Sequence, residues 1–164
     1  MLTSWFRVGL VLGALVLAAG CGDDDDNHGG YTAADIQDQT VQGTHDGQPF
    51  TLVTASVKED AFDANELSVK LYGEQVDPCD TFTTPDAGYI MFSVDRAVGE
   101  YPLHFSMEGS QTVTFYVPPG SNTIATEGII VIESLDGSSV TMGILADAGD
   151  DNHINGRFTA DICP

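Results

Sequence analysis

Positive charge is what this sequence has least of. Its 164 residues carry 5 Lys and Arg against 25 Asp and Glu, a formal net charge of −20. Phosphate recognition needs clustered Lys and Arg, so nucleic acid is excluded as a partner class. The same surface repels anionic lipid headgroups. Long hydrophobic runs are also short: the longest, residues 8–19 (VGLVLGALVLAA), falls below the ~20 residues a membrane span requires. The motifs of common catalytic machinery are missing. No serine sits in a GxSxG elbow, and neither HExxH nor a GxxxxGK[ST] phosphate loop occurs. Helix-building composition is poor, with 18 Gly and 7 Pro. What is present is 42% apolar residues, enough for one packed domain and too much for a disordered chain.

The apolar run follows a short segment with one positive charge, Arg7, and ends in Leu17-Ala18-Ala19-Gly20-Cys21. Its length and flanks fit the core of a signal peptide. Small residues directly before a Cys resemble the lipobox of bacterial lipoproteins, although Ala18 stands where the family more often has Leu. The resemblance implies cleavage after residue 20, with a thioether-linked diacylglycerol and an acylated amine on Cys21. It also implies a palmitate-type membrane anchor, strong because each buried CH₂ contributes ~0.8 kcal/mol. Gly22, rather than Asp, follows the Cys. By the sorting rule of Gram-negative lipoproteins this implies outer-membrane delivery, on the periplasmic face or the cell surface.

Residues 22–40 (GDDDDNHGGYTAADIQDQT) read as a solvated, self-repelling tether. An acidic run just behind the lipidated Cys is similar to surface-export signals in some lipoproteins. Within it, 33–39 is the one stretch of the chain with helical character. The organisation is therefore a signal at 1–20, a lipidated Cys and acidic tether at 21–40, and a single domain at 41–164.

From Val41 onward the period is two, the signature of half-buried strands. Residues 66–72 place Leu67, Val69 and Leu71 on one face. Residues 111–117 direct Val113, Phe115 and Val117 inward, and 140–146 do the same with Val140, Met142, Ile144 and Ala146. Residues 101–107 alternate Tyr101, Leu103, Phe105 and Met107 against Pro102, His104 and Ser106, and Pro102 places that strand at an edge. Phe158, Ala160 and Ile162 alternate near the end of the sequence. Residues 50–57, 89–95 and 128–135 complete the set, the last almost wholly apolar and so central. Residues 58–65 read as a loop. Asp46-Gly47, Asp136-Gly137 and Asn155-Gly156 read as hairpin turns. Pro118-Pro119-Gly120 breaks the chain between strands. The expected fold is all-β: an antiparallel β-sandwich or partly open β-barrel of about eight or nine strands.

Lipidation of Cys21 leaves Cys79 and Cys163, an even pair in an oxidising compartment. Neither lies in a CxxC motif, and two Cys alone do not make a zinc site. A disulfide between them closes a loop of about 85 residues, for which loop-closure entropy gives roughly 4–5 kcal/mol. The best metal candidate is the acidic stretch 147–156. Asp147, Asp150, Asp151, His153 and Asn155 offer ligand atoms there, and Asp151-x-His153-x-Asn155-Gly156 partly echoes a calcium loop. Against it, His replaces an oxygen ligand and Ile162 stands where a bidentate Glu is needed. A plain hairpin loop accounts for the same residues. Carboxylate pairs at Glu59-Asp60 and Asp150-Asp151 read as solvated neighbours.

The domain also carries Gly43-x-x-x-Gly47-x-x-Phe50, then Gly99-Glu100-Tyr101-x-Leu103, then Gly128-x-Ile130-x-Ile132 and Asn155-Gly156-x-Phe158. In this order they resemble a family of small, uncharacterised bacterial lipoproteins with a β-sandwich-type domain, over about 41–163. The resemblance implies fold and location and brings no catalytic residues. The expectation is a lipid-anchored envelope lipoprotein, not an enzyme, with a structural or binding role and no cofactor. A binding face would use Tyr72, Tyr89 or Tyr116, or the loops at one end, to meet a protein or a surface glycan. An acidic module suits a cationic partner, or a lipopolysaccharide-rich surface bridged by divalent ions. A small-ligand or calcium-binding lipoprotein is the alternative. An envelope hydrolase with Ser, His and Asp gathered only in space is a further one.

Overall fold

The period-two segments are strands. A computed structural model describes residues 30–80, 84–107 and 109–164; the apolar run at 8–19, Cys21 and the Asp23–Asp26 run lie outside the described residues. The strands are β1 (Gln42–His45), β2 (Gln48–Thr51), β3 (Thr54–Glu59), β4 (Glu66–Tyr72), β5 (Tyr89–Asp95), β6 (Gly99–Pro102), β7 (His104–Phe105), β8 (Ser110–Gln111), β9 (Val113–Val117), β10 (Ser121–Ala125), β11 (Glu127–Leu135), β12 (Ser139–Asp147) and β13 (His153–Cys163). Nine of them follow one curled path, β10-β9-β5-β4-β3-β13-β12-β11-β6. The β1–β2 hairpin branches from β13, and β7–β8 form a separate two-stranded ribbon. The result is a partly open barrel, antiparallel except where β13 runs parallel to β3.

One strand, β13, joins the two halves. Its first residues pair with β1 and β12, and its last, Ile162 and Cys163, pair with Val57 and Lys58 of β3. The inward residues of both halves form one core, from Val57, Leu67, Val69 and Leu71 to Ile130, Met142, Ile144 and Phe158. Burying such side chains at ~25 cal/mol per Å² supplies the main stabilisation.

Several expectations are realised closely. The strands at 66–72 and 89–95 match residue for residue. The Asp46-Gly47 turn has positive φ at both residues (52° and 69°), as the tight hairpin between β1 and β2 demands. The Asp136 carboxylate accepts the amides and hydroxyls of Ser138 and Ser139, which hold its pKa at about 2. β6 is an edge strand ending at Pro102.

Others are corrected. The run 50–57 is two strands, because the chain turns a corner: Leu52 N–H bonds to Val41 O while Val53 N–H bonds to Tyr72 O. Of the residues expected inward at 101–107, Leu103 is buried and Tyr101 half-buried. Phe105 and Met107 are fully outside, at 72% and 102% exposure. After Leu103 the chain leaves the sheet for the β7–β8 ribbon, so alternation there no longer points at a core. Asn155-Gly156 is not a turn but lies within β13. The turn is at Ala148–Asn152, and Gly156 instead admits residues 39–41, whose backbone a Cβ would meet at 2.7 Å.

Residues 31–39, expected to be solvated tether, are instead packed on the sheet, against the outside of β11, β12 and β13. Ile36, after a 3-10 turn at Ala33–Asp35, is 4% exposed and packs with Ile129, Val131 and Leu145. Asn155 accepts the Gln37 amide and donates to Asp35 O, and the Arg157 guanidinium reaches Ile36 O. This strap explains why β11 is apolar on both faces: each face is covered. Gly143 makes the space for it, since a Cβ there would press on Ile36 at 3.0 Å.

Candidate functional site

The residues expected to bind metal do not converge. Asp147 accepts the Gly149 amide across its own turn, and the Asp150 carbonyl accepts the Thr44 hydroxyl. Asp151 O accepts the Gly47 amide, and Asn152 Oδ1 accepts that of Asp46. Asn155 is turned to the strap. These bonds zip the β12–β13 turn onto the β1–β2 turn, which is the hairpin-loop use of the same residues. Among the described residues, no group of three or more His, Cys, Asp and Glu is arranged to hold a metal ion.

Histidines were the other chemistry to place. His153 Nδ1 lies 2.9 Å from Thr44 Oγ1. The Thr44 hydroxyl has one proton and gives it to Asp150 O, so it accepts from His153. Donating from Nδ1, His153 is not the base for the Thr44 hydroxyl. His104 Nδ1 lies 3.1 Å from Pro102 O. His45 is the buried one, at 7% exposure, with its ring 6.2 Å from that of Phe50 and 6.0 Å from that of Phe115. Burial lowers its pKa, against the pull of Asp46 and a hydrogen bond to the Tyr116 backbone. Its Nε2 has no hydrogen-bond partner among the described groups. His28 lies outside the described residues.

Cys79 and Cys163 form a disulfide with Cα atoms 5.5 Å apart, closing 84 residues of sequence. It fixes residues 76–80 across the outer side of β3 and β4. Ser56 Oγ bonds to Pro78 O, Lys58 Nζ donates to Cys79 O at 3.0 Å, and the Val76 amide donates to Thr54 Oγ1.

The same outer side carries a cluster of aromatic and hydroxyl side chains. Because Leu67, Val69 and Leu71 point inward, Ser68, Lys70 and Tyr72 point outward from β4. By pairing register, Tyr89, Met91 and Ser93 of β5 and Thr114 and Tyr116 of β9 join them. The three tyrosines stack in series. The Tyr72 and Tyr89 centroids are 5.7 Å apart and those of Tyr89 and Tyr116 5.0 Å apart. Lys70 Nζ lies 4.8 Å over the Tyr89 ring, a cation–π contact. Tyr72, at 2% exposure, is the buried foot of the stack, whereas Tyr89 and Tyr116 are half-buried and open to contact. Burial pushes the Tyr72 and Tyr89 hydroxyls up, and burial followed by repulsion from Lys58 pulls the Lys70 ammonium down.

Beside Lys70 the face sinks into a shallow trough of about 260 Å³ lined by Ser68, Lys70, Met91, Ser93, Thr112 and Thr114, with Phe92 and Ser110 at its margin. The trough holds one charged group, a lysine, and no described carboxylate lines it. A second hollow of about 290 Å³ on the other side of Lys70 contains Lys58 but also Glu59, Asp60 and Asp80. Farther along the face Glu66 stands opposite Asp95. Burial and the nearby Asp63, Asp60 and Asp95 push the Glu66 carboxyl up. The face therefore grades from tyrosines through Lys70 and Lys58 to carboxylates.

The sequence named the three tyrosines but not Lys70 or the hydroxyls around it. The signal was there in the outward positions of β4, β5 and β9. What it lacked was the pairing of β5 with β9, which brings together segments separated by β6, β7 and β8. No known protein family, curated protein or solved structure matches this chain. The class that fold and site define is an all-β, partly open barrel with one tyrosine-and-hydroxyl face.

Proposed function

We propose that this chain is a lipid-anchored lipoprotein of the bacterial outer membrane, anchored through Cys21, whose role is binding rather than catalysis. The lipobox-like 17–21 segment supports the anchor, and the acidic stretch after it supports display away from the membrane. One observation carries the binding role: Tyr116 stacks on Tyr89, and Lys70, which lies over the Tyr89 ring, lines an open trough. Aromatic rings that offer an apolar surface with a polar tip suit contact with partners at a wet surface. A trough in which five of the eight lining residues bear a hydroxyl and one a charge suits a polar ligand better than the apolar core of a protein interface.

Two measurements test the reading. Metabolic palmitate labelling is lost in Cys21→Ala; label that survives the substitution removes the anchor. Washed cell envelopes retain the unlipidated mature chain, and Tyr116→Ala, still folded by circular dichroism, is released. Equal retention of the variant removes the tyrosine face as the binding surface.

A further inference from the structure

We infer that the trough beside Lys70 recognises a carboxylated sugar, its anionic group at the Lys70 ammonium and a ring face on Tyr89 or Tyr116. This rests on the binding role proposed above and assigns the ligand's chemistry. The first argument is charge. From Val41 onward the domain carries 19 acidic residues against 4 basic ones, so an anion is repelled almost everywhere. The two arginines are each paired, Arg96 with Glu59 and Arg157 with Glu133. The lysines Lys58 and Lys70 share this one face on adjacent strands; Lys70 has Glu59, Asp60 and Asp80 in the hollow on one side, and on the trough side no described carboxylate lines the wall. An anion there also relieves the repulsion that Lys58 exerts on Lys70.

The second argument is lining. Ser68, Ser93, Thr112 and Thr114 offer hydroxyls that both donate and accept, matching a polyol. The tyrosine stack begins one step along the strands, at Tyr89 and Tyr116. It supplies a flat surface for the C–H face of a pyranose. The third is direction. Glu66 and Asp95 lie just beyond Ser68 and Ser93, at the end of the face away from the tyrosines, so the ligand's carboxylate is directed to Lys70 and away from them, which sets one orientation.

Calorimetric titration of the mature chain with a trigalacturonate, and with its fully methyl-esterified form, tests this. The acid form should bind, and the neutral ester about ten-fold more weakly, as for loss of a charge-assisted hydrogen bond. Lys70→Met should erase the difference while Tyr116→Ala weakens both. In wild type, where folding is not in question, amide shifts on adding the acid form should centre on Ser68, Ser93 and Thr114. Equal binding of acid and ester overturns recognition of the anion and leaves the tyrosine face standing. No binding of either, with envelopes still retained through Tyr116, overturns the sugar. Envelope retention indifferent to Tyr116→Ala overturns the underlying reading itself.

Discussion

At the scale of single residues, His45 is the most consequential group outside the tyrosine face. Its ring sits in the core beside Phe50 and Phe115, and burial holds its pKa below the ordinary 6.5. As pH falls below that value, the unfolded chain takes up a proton that the folded chain refuses. The stability gained by keeping the ring neutral is therefore present above the unfolded pKa and is lost as pH falls toward the folded one. The urea midpoint should drop between about pH 8 and about pH 5.5. His45→Phe, which keeps an aromatic ring in the same pocket, should remove that component of the drop. An unchanged pH dependence in the variant would place the sensitivity elsewhere. In the sequence His45 stands directly before the Asp46-Gly47 turn and nothing marks it as buried. Its burial depends on β1 folding over the barrel end, a long-range event that local pattern does not encode.

At the scale of elements, the strap at 31–39 behaves as an accessory to the sheet. Ile36 is its apolar anchor and belongs to a satellite cluster rather than the main core. Ile36→Ala should cost roughly 2–5 kcal/mol, toward the lower end because the site can relax into solvent. Gly143→Val should do similar damage from the other side, by filling the space that Ile36 occupies. Denaturant melts measure both, and limited proteolysis should cut 30–40 in the variants before the barrel opens. The disulfide is the other accessory. Replacing both Cys79 and Cys163 by Ser should lower stability by up to about 4–5 kcal/mol, read from the urea midpoint. It should also free the chain that bonds Ser56 and Lys58. The bridge was legible in the sequence, because counting cysteines needs no fold. The strap was not. Its residues are polar enough to pass for linker, and the small residue that receives it lies more than a hundred positions away.

For the whole molecule, the strand pattern was legible because alternation is a local property. The registers of β3–β4 and β4–β5 follow from neighbouring hairpins. The closure through β13 and the pairing of β5 with β9 were not legible, since each joins distant segments. The charge was legible in amount but not in arrangement. A net −15 on the domain from Val41 destabilises the compact state by self-repulsion, which salt screens over about 10 Å at 0.1 M. Thermal melting temperature should therefore rise when sodium chloride is raised from low to physiological concentration. Binding of the trigalacturonate should weaken over the same range. A protein stabilised by salt while its ligand is released by salt would separate the global field from the local lysine.

The position of β13 has a consequence for how the molecule comes into being. A chain that emerges residue by residue, from a ribosome or through a membrane pore, can form the β3–β4–β5 and β11–β12 hairpins early. Neither half has its shared wall until 153–163 arrive, and those residues close against β1, β3 and β12 together. Such non-local pairing is slow, because the entropy of closing long loops comes first. Until then the barrel stays open and the Cys79 thiol waits for a partner that is the last of the three cysteines to be made. Arrival of β13 is in effect a checkpoint: the fold closes in one late step, and the bridge is sealed only after it.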